Sequence, residues 1–129
     1  MKRLTWIAIL IGWWGGTALA ESDVSIELNS LMQTENACRM VFTAQSMSEV
    51  ESLILETVLF DGDGSVILLT LFDFEALPSK KLRVRQFDIA DIKCNNLGTL
   101  LFNGINTCVG PGCGNLLPSS RVESIGVLG

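Results

Sequence analysis

The sequence predicts an all-β fold: two sheets of short antiparallel strands packed as a β-sandwich and stapled by disulfides. Three observations predict it. Apolar and polar residues alternate in short runs at roughly ten-residue spacing, divided by Asp-Gly, Asn-Asn and Leu-Pro-Ser turn signals. No stretch beyond residue 20 sustains a helical apolar period. The four cysteines follow what reads as an export leader, and exported chains keep disulfides.

The leader comes first. Lys2 and Arg3 precede an apolar stretch from Leu4 to Trp14, and small residues lead to Ala18 and Ala20 in an A-x-A cleavage pattern. A signal peptide is expected over 1–20, with cleavage before Glu21 and one β-sandwich domain over 21–129. The apolar stretch is shorter than the roughly 20 residues of a membrane span, so no membrane insertion is expected after cleavage. No cysteine follows the cut and Arg3 stands alone, which disfavours a lipoprotein and a twin-arginine signal. The expected location is periplasmic or secreted.

Val24, Ile26 and Leu28 alternate with polar residues as a half-buried strand, and Cys38, Met40, Phe42 and Ala44 form the inward face of a second. After a polar turn over 46–51, the run 52–60 is apolar on both alternations and suits a central strand. Asp61-Gly62-Asp63-Gly64 is a hairpin turn into the strand 65–74. Leu77-Pro78-Ser79-Lys80 leads to a strand whose one face carries Lys81, Arg83 and Arg85. The chain is expected to leave the sheet over 87–93 and to resume as a strand over 97–105. A Gly, Pro and Ser-rich tail follows from Gly110, with a short terminal strand within 122–128. Cys108 and Cys113 flank a Val-Gly-Pro-Gly turn that can fold back on itself, which leaves Cys38 to pair with Cys94.

Composition removes several chemistries. The chain has no His and no Tyr, and its three Trp all lie in the leader. Without His, the usual general base and the commonest neutral metal ligand are both missing. Ser119, Ser120 and Arg121 therefore make a weak hydrolase, with no G-x-S-x-G elbow. The net charge of −5 becomes more negative once Lys2 and Arg3 leave, a poor match to nucleic acid or anionic lipid.

Four groups invite a functional reading. Asp61 and Asp63 could ligate calcium, but Val66 and Phe72 stand where an EF-hand loop needs Gly and Glu, so a turn is preferred. Met32, Met40 and Met47 lack ligand spacing for copper(I). The cysteines form one loose pair, whereas zinc sites bring two close pairs and redox sites use C-x-x-C. Lys80, Lys81, Arg83 and Arg85 are the one basic cluster; Lys81, Arg83 and Arg85 are the candidate partner-binding residues. No catalytic residue, metal or cofactor is expected.

The run ACRMVFTAQSMSEVESLILETVLFDGDGSVILLTLFDFEALPSKKLRVRQFDI resembles the immunoglobulin-like (FxLYD-type) accessory domains of small exported bacterial proteins. The likeness rests on hydrophobic-Phe-Asp-x-Asp-Gly leading to a hairpin and on Leu-Pro-x-Lys leading to the next strand; Cys-Asn-Asn-Leu-Gly and Pro-Ser-Ser-Arg extend it. It implies an immunoglobulin-like sandwich of about seven strands and brings no catalytic residues. The expected function is a non-enzymatic interaction, accessory or scaffold module for another periplasmic or envelope protein. It would dock by strand addition at a free sheet edge or by charge pairing. The alternative is a small-ligand or metal-binding periplasmic protein using the sandwich interior, an end loop or the 108–113 loop.

Overall fold

A computed structural model describes residues 7–12 and 23–129. The expected signal peptide and its cleavage site lie outside the described residues, except for 7–12, which form no regular secondary structure. Eight strands follow: β1 (Asp23–Gln33), β2 (Ala37–Ser46), β3 (Ser52–Asp61), β4 (Val66–Asp73), β5 (Arg83–Ala90), β6 (Leu97–Val109), β7 (Asn115–Ser120) and β8 (Gly126–Leu128). They form two four-stranded sheets, ordered β5-β2-β1-β7 and β4-β3-β6-β8, packed face to face as a disulfide-stabilised sandwich.

Alternation is the physical reason for the burial. On β2, Cys38, Met40, Phe42, Ala44 and Ser46 are buried, with half-exposed residues between them. On β3, Leu53, Leu55, Thr57 and Leu59 turn inward. Between the sheets lie five of the six phenylalanines. The Phe42 ring meets those of Phe72, Phe74 and Phe87 edge-on at 5.6–5.9 Å, and Phe72 stacks on Phe87 at 4.1 Å. Such pairs add about 0.5–1.5 kcal/mol each beyond the area they bury. Cys38 on β2 is bridged to Cys94, in a 3-10 turn just before β6, so one bond joins the two sheets. Cys108–Cys113 closes the turn between β6 and β7.

Four details depart from the expectations. β1 continues to Gln33, because a bulge between Leu28 and Ser30 shifts the alternation that seemed to end there. β5 begins at Arg83 rather than Lys81, since Lys80 takes a positive φ of 61°, and it runs on to Ala90 because Phe87 and Ile89 continue its inward series. β6 reaches Val109 through two further bulges against β3. Finally, the tail supplies two strands. β7 pairs parallel to β1 and β8 parallel to β6, so the sandwich is antiparallel in its other four pairings and parallel where the tail joins each sheet. The chain crosses from one sheet to the other between Ser120 and Gly126 and closes that side.

Candidate interaction surfaces

The basic cluster is not a free face. Arg83 and Arg85 share the inward series of β5, opposite Ala44 and Phe42 of β2, and it is Leu82 and Val84 that are exposed. The Arg85 guanidinium turns to the 74–76 loop. Its Nε donates to the Phe74 carbonyl at 2.6 Å and an Nη to the Ala76 carbonyl at 2.8 Å, while Glu75 lies 3.7 Å away. Arg83 donates to the Leu82 carbonyl, and only Lys80 and Lys81 of the cluster are well exposed. Alternation placed the arginines together correctly, but the face they share points into the open side of the sandwich.

The remaining candidates resolve into local structure. Asp61 Oδ1 accepts from the backbone N–H groups of Asp63 and Ser65, both at 2.9 Å, and Gly64 has φ 84°, the geometry of a tight hairpin. Met40 is in the core, whereas Met32 and Met47 are exposed on different segments. The Ser120 hydroxyl donates to the Val122 carbonyl and accepts from its N–H. All four cysteines are bridged. Among the described residues no group of three His, Cys, Asp or Glu side chains is placed to hold a metal ion, and no helix is long and apolar enough to cross a membrane.

The outer faces of the two sheets differ sharply. That of β5-β2-β1-β7 is largely polar: Ser25 and Glu27 of β1 lie beside Gln45 and Thr43 of β2, and Arg39 bonds Asp88 across to β5 at 2.8 Å. The exchange holds the Asp88 carboxyl below its ordinary range, chiefly through the hydrogen bond from Arg39. The outer face of β4-β3-β6-β8 carries an apolar row beside a polar pair, in which Asn103 donates to Glu56 at 2.8 Å. Register aligns Leu69, Val58, Leu101 and Leu128 in one row across all four strands. Leu69 and Leu128 at its ends are 59% and 56% exposed, while Val58 at its middle is buried, 6% exposed, outside the main core cluster. Phe60 beside Val66 forms a second row.

No Lys or Arg occurs in these four strands; their charges are Glu56, Asp61 and Asp73. Sequence reading missed this face because its four members come from separated strands. A signal was present in 52–60 and 66–72, which carry apolar residues on both alternations, more than one buried face requires. Comparison with known proteins finds no matching family, curated relative or solved structure.

Proposed function

We propose that this protein is a non-enzymatic contact module of the periplasm or cell exterior, and that the outer face of β4-β3-β6-β8 is its docking surface. The observation that carries the reading is the row Leu69, Val58, Leu101 and Leu128, an apolar row across four strands whose two ends, Leu69 and Leu128, are open to solvent. Exposed contiguous apolar patches of this kind mark interaction sites. The partner would be another envelope protein. Glu56, Asp61 and Asp73, with no cation among them, favour an apolar partner surface rimmed by Lys or Arg. The resemblance to immunoglobulin-like accessory domains and the two disulfides support the same compartment and role.

The test is capture of partners from the envelope with single surface variants that leave the core untouched. Leu128→Glu is expected to lose the captured protein, and Val84→Glu, equally exposed on the opposite sheet, to keep it. Retention by Leu128→Glu with loss by Val84→Glu would move the surface to the other face.

A further inference from the structure

We propose that two copies of this chain pair through the β4 edge, joining their β4-β3-β6-β8 sheets into one continuous eight-stranded sheet. β4 is the least guarded edge of the sandwich: a bulge at Ile67, between Leu59 and Phe60 of β3, bends its start, and Leu68 to Phe72 pairs regularly. The other edges carry protection: β5 has Arg83, Arg85 and Asp88, β7 is six residues long and holds Pro118, and β8 is three residues long. β4 has eight residues, Val66 to Asp73, with no proline, no cation and a single charge at its last position. An edge of that kind is a template for strand pairing unless something covers it. Beside it lies an open groove of about 580 Å³ between β4 and β5, so another strand can reach its backbone.

A second copy fits this edge by its own sequence. Antiparallel pairing about a two-fold axis at Thr70 sets Thr70 against its own copy, Leu69 against Leu71, and Leu68 against Phe72. From Leu68 to Phe72 each residue then meets one on its own face of the sheet, and the bulge at Ile67 ends the regular pairing. Asp73 falls opposite Ile67, so no like charges are opposed. The exposed Leu69 and Leu71 of both copies form one apolar cluster on the outer face. The regular contact strip is about 17 Å long and roughly 15 Å deep, on the order of 250 Å² per partner. That is below the roughly 800 Å² of a standard interface, so the dimer is reversible and concentration-dependent.

The inference is separate from the docking of another protein, because Leu101 and Leu128 stay open in such a dimer. Sedimentation velocity of the purified mature protein, from micromolar to millimolar concentration, reads self-association alone. Wild type is expected to shift from monomer to dimer. Leu69→Lys with Leu71→Lys is expected to stay monomeric across the range, whereas Leu128→Lys dimerises as wild type does. Amide exchange on wild type is expected to slow in β4 as concentration rises. Oxidised Thr70→Cys is expected to link two chains covalently. A monomeric wild type, or a dimer lost in Leu128→Lys and kept in the double lysine variant, would overturn the proposal. A dimer with no Thr70→Cys link would overturn the register.

Discussion

Arg85 shows how a charged residue in a strand can be structural. Its guanidinium satisfies the carbonyls of Phe74 and Ala76 and anchors a loop in which Glu75 takes a positive φ of 59°. Arg85→Ala is expected to destabilise the protein by about 1–3 kcal/mol, the range for losing charged hydrogen bonds. Arg83→Ala, which loses one local bond, is expected to cost less than about 0.5 kcal/mol. Urea denaturation of both variants checks the contrast. Equal losses would mean that the Arg85 bonds to the Phe74 and Ala76 carbonyls add nothing beyond what Arg83 contributes. The Arg39–Asp88 bond gives a pH signature. A carboxylate held below its ordinary value of 3.8 stabilises the fold at neutral pH, and that contribution disappears as acid titrates the folded group. The small stability difference between wild type and Asp88→Asn is therefore expected to close below pH 3.8, followed by acid titration of the unfolding midpoint.

The disulfides differ in how much of the unfolded chain they restrict. Cys38–Cys94 spans 56 positions and Cys108–Cys113 spans 5. In the loop-entropy description the first is worth about 4 kcal/mol and the second about 2 kcal/mol. Cys38→Ala with Cys94→Ala is expected to lower the unfolding midpoint more than Cys108→Ala with Cys113→Ala, as differential scanning calorimetry would show. Both pairings could be read from sequence, because a Gly-Pro-Gly turn selects the short bridge and leaves one partner for Cys38. The first four strands were legible for a similar reason: each buries one alternating apolar series, and Asp-Gly marks the hairpin between β3 and β4. The later elements were not. β5 hides its inward face behind two arginines, β6 slips register at its bulges, and β7 contains Pro118 in a tail that reads as irregular. Proline is tolerated there because β7 is an edge strand.

At the scale of the whole molecule, the sandwich has two unlike exteriors and two unlike sides. One sheet is finished in polar residues and the other in an apolar row; one side is closed by the crossing of the tail, and the other opens between β4 and β5. Sequence showed two strands apolar on both alternations but not the row, which exists only once register aligns four distant strands, and it is this row that carries the proposed contact role. The most direct measurement is site-specific photo-crosslinking in the living host, with a photoreactive residue at Leu128 and, separately, at Val84. An adduct to another polypeptide from position 128 and none from position 84 is the predicted result. Adducts from position 84 alone would contradict the apolar face as the contact surface.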